Sequence, residues 1–378
     1  MANAGHVRPP ERPYLPLVRA GSAVPFIGFL QAAGAPVERY LAAVRLSSLA
    51  EEAPESLVPL RPVLEFFDRA ATAEGIESFG LLVGARTELN ALGAFGRVIL
   101  RSVTVGDAIR AAAENMRLYN SAERIWIHRE DDQVLICHSL DACESAGDRH
   151  GHLFAIMLLI KVIRLAVGPG WWPREIRLPE SETQWLKAYA AIVPADWAPH
   201  ADPFSAIVID QPLLAQRSAQ GMNGRRPQPV VSRAAALTDN GKQGGDGRHE
   251  PDDAGFLRLS APSDDLSRSV QQAIGGLLRG GHPGIGLAAE LAGLSVRTLS
   301  RRLAEEGTSY ERLVEQTRFS AAVDLLRDGQ RRLIDIAYEL GYTDPANFTR
   351  AFRRWAGMPP SEYRRLHEVG AIDNPVVS

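Results

Sequence analysis

The sequence is poor in cysteine and in long apolar runs, and each shortage excludes a class of protein. Two cysteines, Cys137 and Cys143, cannot build a disulfide framework for 378 residues, which suggests a reducing compartment. The N-terminus has no basic segment followed by an apolar core, so we expect no signal peptide. The longest apolar run, 152–167, is interrupted by Lys161 and Arg164, so we expect no membrane span. These shortages predict a cytoplasmic protein.

Lysine is also scarce, and arginine carries nearly all of the positive charge. The only lysines are Lys161, Lys187 and Lys242. Between Val270 and His367 there are 14 arginines, 11 acidic residues and no lysine. Arginine makes forked contacts with phosphate and guanine, which fits a nucleic-acid partner. Because the whole chain shares this preference, the composition alone leaves an ordinary solvated surface equally open.

The first half of the chain mixes helical and strand patterns. Apolar residues at helical spacing predict helices over 24–33, 36–46, 61–73, 104–118 and 149–167. Alternating apolar residues predict strands over 124–128, 133–138, 174–178 and 206–209. The first two strands flank a polar turn and form a predicted hairpin. Without a regular β-α-β order, the pattern favours an α+β fold.

The chain's composition changes after residue 216. Residues 217–256 are rich in Gly, Pro, Asp, Asn and Gln, and they hold too little apolar material to offset the entropy of ordering. We therefore predict five segments. They are a disordered tail (1–13), an α+β domain (14–216), a flexible linker (217–256), an all-α domain (257–368) and a second tail (369–378).

One pattern occurs twice near the end of the chain, over Gly286–Leu303 and Leu333–Phe352. Each copy is a short apolar helix, a turn opened by Gly293 or Gly341, and a second helix that begins after a capping residue. This order predicts two helix-turn-helix units. The stretch between them has an apolar face at helical spacing, which predicts one long helix over 309–328 ended by Gly329. Such a helix would set the spacing of two reading helices, about 34 Å for one turn of DNA.

The last hundred residues resemble the DNA-binding domain of the AraC/XylS family of bacterial transcription regulators. The residues that carry the resemblance are Ile336-Ala337, Gly341-Tyr342, Phe348, Arg350-Ala351-Phe352, Gly357 and Pro360-Ser361-Glu362-Tyr363-Arg364. More loosely, 16–21, 34–41 and 92–100 resemble the sensing and dimerisation domain of the branch that includes the ornithine-utilisation regulator. The resemblance implies a regulator that is controlled by a small-molecule effector and binds promoter DNA. Its other expected partners are RNA polymerase and a second copy of the chain, and no cofactor is expected.

The residues expected to touch DNA lie on the outer face of the second helix of each unit. They are Val296, Arg297, Ser300 and Arg301 in the first unit, and Ala346, Asn347, Thr349 and Arg350 in the second. Within this set, Val296 suits a thymine methyl group and Thr349 a phosphate. Further arginines are expected to meet phosphates or to pair with acids, namely Arg302, Arg353, Arg354, Arg364 and Arg365.

The front domain shows no catalytic motif. A nucleophile elbow and a phosphate-binding loop are both absent from the sequence. His150 and His152 lack a partner at metal-ligand spacing, so we predict no metal site. Cys137 and His138 are adjacent on a strand and point to opposite faces, so we predict no catalytic residue there.

Several alternatives stay open at this stage. Cys137 and Cys143 are either buried or redox-sensing. Four tryptophans fit either a core or a ligand pocket, namely Trp126, Trp171, Trp172 and Trp185. The rival functions are an architectural DNA-binding protein and an enzyme fused to a DNA-binding domain.

Overall fold

The computed structural model describes residues 14–46, 53–130, 133–141, 146–179, 184–218, 252–278 and 283–368. They fall into two compact units. One runs from Pro16 to Pro262, and the other comprises the residues before Pro16 together with those from Ser263 onward. Both predicted tails and most of the predicted linker lie outside the described residues, as does Cys143.

The first unit contains two sheets. Its strands are β1 (Leu17–Arg19), β2 (Leu57–Pro59), β3 (Glu123–Glu130), β4 (Gln133–Leu140), β5 (Glu175–Pro179), β6 (Asp196–His200) and β7 (Ser205–Asp210). Strands β1 and β2 form an antiparallel pair, and the larger sheet has the order β3-β4-β7-β5-β6. The predicted hairpin is β3-β4, with Trp126 opposite Cys137. Strand β6 was not predicted, because Pro199 and a polar composition hide an edge strand.

This unit also contains helices, two of which, over Val105–Tyr119 and Asp148–Val167, pack against the large sheet. They are α1 (Val24–Ala32), α2 (Val37–Ala43), α3 (Leu60–Glu74), α4 (Phe79–Arg86), α5 (Gly93–Leu100), α6 (Val105–Tyr119), α7 (Asp148–Val167), α8 (Leu186–Ala190) and α9 (Asp253–Leu259). Helix α6 begins where the sequence places it, because the Thr104 hydroxyl accepts a 3.1 Å hydrogen bond from the Asp107 N–H. Mixed helices and strands confirm the α+β prediction for this unit.

Helix α7 is the central helix of the unit. At 20 residues it is longer than the apolar run seen in the sequence, and among the described residues it alone is long and apolar enough to cross a membrane. Its Leu153, Met157 and Ile160 side chains are fully buried within the protein, as expected for a core helix. Helix α4 packs closely on it at Gly80, where an added Cβ would come within 2.1 Å of the His150 carbonyl oxygen.

The α9 helix belongs to the first unit, whereas the sequence places the start of the C-terminal domain near Leu257. The Leu257 side chain is fully buried in the large hydrophobic core of this unit. The Asp252 carboxylate caps the helix by accepting a 2.8 Å hydrogen bond from the Gly255 N–H. Because this helix of 7 residues carries one buried leucine, its pattern is too short to separate from the predicted linker.

The second unit is all-α in its described residues. Its helices are α10 (Leu266–Leu277), α11 (Ile285–Leu291), α12 (Val296–Glu305), α13 (Tyr310–Arg327), α14 (Leu333–Glu339), α15 (Pro345–Ala356) and α16 (Pro360–Glu368). The prediction that Gly329 ends the long helix is wrong. Helix α13 stops at Arg327, because Asp328 takes an extended backbone and its carboxylate accepts from the Gln330 N–H at 3.2 Å.

Candidate nucleic-acid interface and ligand cavity

The first helix-turn-helix unit is α11, a four-residue turn and α12. The turn bends at Gly293, whose φ of 65° suits glycine. The Ser295 hydroxyl then caps α12 by accepting a 3.1 Å hydrogen bond from the Thr298 N–H. Leu299 and Leu303 are fully buried, so the predicted inward face is confirmed. The opposite face of α12 is left exposed.

The second helix-turn-helix unit, formed by α14 and α15, repeats this construction with a turn one residue longer. Gly341 has a φ of 77°, and the Asp344 carboxylate caps α15 through a 2.9 Å hydrogen bond from the Ala346 N–H. Phe348 and Phe352 are buried and pack edge to face with ring centroids 5.8 Å apart. The two reading helices therefore have matching inward positions four residues apart, which leaves equivalent outward positions on both.

The eight predicted contact residues all lie on exposed parts of α12 and α15, namely Val296, Arg297, Ser300, Arg301, Ala346, Asn347, Thr349 and Arg350. The Val296 side chain is 44% exposed. Its position at the first turn of α12, beside Arg297, is where a recognition helix meets base edges.

Intrahelical partners hold several of these side chains in the free protein. Arg301 pairs with Glu305 one turn along α12, and Arg350 donates to Asn347 on α15. The Thr349 hydroxyl donates to the Pro345 carbonyl oxygen at 3.1 Å, which leaves its oxygen as an acceptor and not as the donor that a phosphate needs. A phosphate contact therefore requires the Thr349 hydroxyl to turn away from the helix backbone.

Of the further arginines named from the sequence, Arg354 shows the expected pairing with an acid. Arg354 pairs with Glu315 on α13, so its acid partner is already present. Arg318 lies over the Tyr342 ring at 4.8 Å and fastens α13 to the second turn. These contacts link the long helix α13 to the second helix-turn-helix unit through charge. The apolar side chains of Phe319, Val323 and Leu326 on α13 pack in the same core.

Comparison with known families matches both units. A helix-turn-helix domain model covers residues 288–366. A second model, described as the arabinose-binding domain of AraC transcription regulators at their N-terminus, covers residues 34–218. This chain belongs to the AraC family of transcription regulators. Its DNA-binding unit is the helix-turn-helix pair, and its first unit is the family's effector-binding type of domain.

Individual relatives match this AraC-family chain to different extents. An uncharacterized regulator of the helix-turn-helix type from Mycobacterium tuberculosis is 51% identical over 69 residues, which are 18% of this chain and 20% of that protein. The ornithine utilization regulator of Pseudomonas aeruginosa is 27% identical over 295 residues, 77% of this chain and 79% of the regulator. The crystal structure of the transcriptional regulator CdpR from the same species covers 87% of this chain and 96% of its own, at 24% identity. Its TM-score of 0.37 is too low for an overlay to assign residues.

The first compact unit contains a cavity with about 730 Å³ of space not occupied by protein atoms, counting its open mouth. Its walls come mainly from α3, α5, α6 and α7 and are almost wholly aliphatic and aromatic. Polar groups lie among them at Ser22, Tyr119, Asn120 and Glu123. None of the four tryptophans lines this cavity, and Trp171, Trp172 and Trp185 pack against the large hydrophobic core. Trp126 packs instead against Phe204 on the opposite face of the sheet.

No local pattern in the sequence indicates this cavity. Ala112, Met116 and Tyr119 line it from α6, and their spacing is that of any helix face turned toward a core. Burial raises the pKa of Tyr119 far above its usual value, with Glu123 and Glu55 adding to the effect. The Tyr119 hydroxyl therefore stays protonated and can donate a hydrogen bond.

Histidines cluster beside one end of the cavity. His138 Nε2 lies 3.1 Å from Glu123 Oε1, and His152 Nδ1 lies 3.3 Å from His138 Nδ1. Burial lowers the pKa of His152 to about 3, and His138 adds to the effect. Among the described residues no group of three or more potential ligands could hold a metal ion. The cluster orients Glu123 within the wall of the cavity.

Cys137 lies on the other face of the same strand from His138, as predicted. It is fully buried with Leu135 and Val208, and burial raises the pKa of its thiol to about 11. A buried, protonated thiol reacts slowly with oxidants, which favours the structural interpretation of this cysteine.

Helix α9 is fastened to the outer side of the helices that form the cavity. The Asp253 carboxylate, itself buried, lies 2.7 Å from both Arg97 and Arg101 at the end of α5. Arg19 is 1% exposed and donates to the Ser260 hydroxyl at 2.9 Å. These contacts and the buried Leu257 hold α9 in place. Three residues separate the end of α9 from the compact unit that contains both helix-turn-helix units. The sequence carried no signal for them, because they join residues more than 150 positions apart.

Proposed function

We propose that this chain is a sequence-specific transcription regulator whose DNA binding is controlled by a small molecule held in the cavity. The observation that carries the proposal is the position of α5. Phe95 and Ile99 on α5 face the cavity, while Arg97 and Arg101 at the same helix grip Asp253 of α9. One short helix thus touches both the ligand space and the segment that leads into the DNA-binding unit.

The control would operate as a population shift. A ligand can change DNA binding only if it binds one arrangement of the protein more tightly than another. A ligand that displaces Phe95 or Ile99 would move α5 and change the grip of Arg97 and Arg101 on Asp253. If these ion pairs weakened or strengthened, α9 would become more or less mobile. That change would alter the positions available to the DNA-binding unit that follows α9.

We also propose the reading contacts. In the first unit they are Val296, Arg297, Ser300 and Arg301, and in the second Ala346, Asn347, Thr349 and Arg350. Exposure of all eight on two capped recognition helices supports them.

The family supports action in the cytoplasm as a homodimer that contacts RNA polymerase. Light scattering of the full chain with and without DNA tests the dimer, and a monomer on DNA contradicts it.

The experiment begins by selecting binding sites from a pool of random duplex DNA with the full chain. Sequence enrichment is expected, whereas an architectural protein would show none. A panel of amino acids, fatty acids and aromatic acids is then screened by thermal shift, because a ligand of the native state raises the melting temperature. A bound compound should change the affinity for the selected site. Binding without any change in affinity contradicts effector control, and chemical conversion of the compound would indicate an enzyme.

Asp253→Ala tests the connection. Removing the carboxylate leaves Arg97 and Arg101 without their shared partner, so we expect the variant to bind the compound but to lose its effect on DNA affinity. Glu65→Ala is the matched control, since it removes an ion pair with Arg61 on α3, away from α9. If Asp253→Ala keeps the full response, α9 is not the connection.

A further inference from the structure

The walls of the cavity disfavour a sugar. Val63, Leu64, Phe67 and Met116 represent a lining that is apolar except at one end. A sugar has a hydroxyl on nearly every carbon, and each one placed against such a wall loses its hydrogen bonds to water. Each loss costs about 1–3 kcal/mol. The walls therefore select an apolar body and disfavour arabinose, the sugar for which the matching domain family is named.

Two hydroxyl groups at the polar end of the cavity have no hydrogen-bond partner in the described part of the chain. Tyr119 is 6% exposed, and neither its hydroxyl nor that of Ser22 has a hydrogen-bond partner among the described residues. The neighbouring polar groups are already engaged. Asn120 Nδ2 donates to Glu123 Oε2 at 3.0 Å, and Asn120 Oδ1 accepts from the Ala122 N–H at 3.1 Å. Two hydroxyls thus remain for an acceptor on a ligand.

The charges at this end disfavour an ionised ligand. Glu123 is the only ionised type of side chain among the described lining residues, which include no Lys, Arg or His. It would repel a carboxylate. A cationic group would have to leave water for a single carboxylate that already bonds Asn120 and His138, and such desolvation costs several kcal/mol. Arg19 near Tyr119 is held by Glu55 and opposes a cation further.

We propose that the cavity binds an uncharged amphipathic molecule, with an aliphatic body among α3, α5, α6 and α7 and an oxygen that accepts a hydrogen bond from the hydroxyl of Tyr119 or of Ser22. Fatty alcohols, ketones and esters belong to this class. The inference rests on the proposed function in taking this cavity for the effector site, but the ligand class can be tested without DNA.

The experiment measures binding of four probes to the full chain by calorimetry: n-decanol, decanoate, n-decylammonium and L-arabinose. We expect n-decanol to bind at least about tenfold more tightly than either ion, and arabinose to show no binding. Tyr119→Phe should weaken n-decanol roughly 3- to 10-fold, the value of one hydrogen bond. It should not lower the melting temperature of the free protein, since it removes a hydroxyl that has no partner. Tyr40→Phe, which removes a hydroxyl bonded to Glu74 outside the cavity, is the matched control.

A second variant separates cavity binding from adsorption to the surface. Ala155→Phe places a ring inside the cavity and should abolish n-decanol binding. If that variant does not fold, Leu158→Trp fills the cavity from a partly buried lining position and should have the same effect. Arabinose or decanoate binding more tightly than n-decanol overturns the ligand class and leaves effector control standing. Unchanged n-decanol binding in both blocked variants removes the cavity from consideration. A cavity ligand that binds as expected but leaves affinity for the selected DNA site unchanged instead contradicts the proposed function.

Discussion

Arg301 offers the sharpest test of the proposed DNA contacts, because the free protein already gives this side chain a partner. Its guanidinium pairs with Glu305 four residues along α12, and both side chains are more than half exposed. Exposed pairs at this spacing contribute about 0.3–0.5 kcal/mol. A forked contact between arginine and guanine contributes about 1–3 kcal/mol of discrimination. Arg301 should therefore leave Glu305 when a suitable base is present.

The magnitudes follow from that competition. Arg301→Ala should raise the Kd for the selected site by about 5- to 140-fold and relax the preference at one base pair. Glu305→Gln removes the competing partner and should tighten binding by no more than roughly 2-fold. Combining both changes should give no more than the loss caused by Arg301→Ala alone, because the pair no longer exists.

The assay is fluorescence anisotropy with the selected duplex and with all single-base variants, at one fixed salt concentration. Arg268→Ala is the matched control, since Arg268 is also exposed and pairs with a nearby acid, Asp265, on α10. It should leave the base preference unchanged. Equal Kd values and an unchanged preference for Arg301→Ala would refute its placement as a reading residue.

Three further predictions concern stability. Leu299→Asp puts a charge at a fully buried position, so we expect a loss of more than about 4 kcal/mol and no DNA binding; circular dichroism showing a folded, binding-competent variant contradicts this. Gly341→Ala should cost about 1–2 kcal/mol in urea unfolding because of its φ of 77°, whereas Gly286→Ala, with open space around it, should cost nothing. Burial lowers the pKa of His150 to about 3 in the folded protein, so the unfolded chain binds a proton more readily. The neutral His150 therefore adds fully to the free energy of unfolding above about pH 6.5, and this stabilisation is lost as the pH falls toward 3. His150→Leu should reduce the acid-induced loss by about 1.4 kcal/mol per pH unit in that window, and an unchanged pH profile contradicts the assignment.

The sequence by itself determined the DNA-binding unit. Its helices, turns and caps depend on residues within about 20 positions of each other, such as Gly293 before Ser295, or Leu299 and Leu303 one turn apart. Local spacing therefore predicts which face of α12 is buried and which is exposed. The family pattern lies in the same short stretch. The end of α13 was predicted wrongly because Asp328 could stop the helix without a glycine.

Only the tertiary structure decided the cavity of the first compact unit and the contacts that hold α9. Tyr119 reads as an ordinary core residue in the sequence, and nothing local shows that its hydroxyl lacks a partner. The Asp253 carboxylate meets Arg97 across 156 positions of chain. Such contacts arise from packing many elements together, and an amphipathic pattern is the same whether a helix faces a filled core or an empty space. For that physical reason the sequence predicts the helix-turn-helix units, whereas the cavity and the ion pairs of α9 follow from the fold.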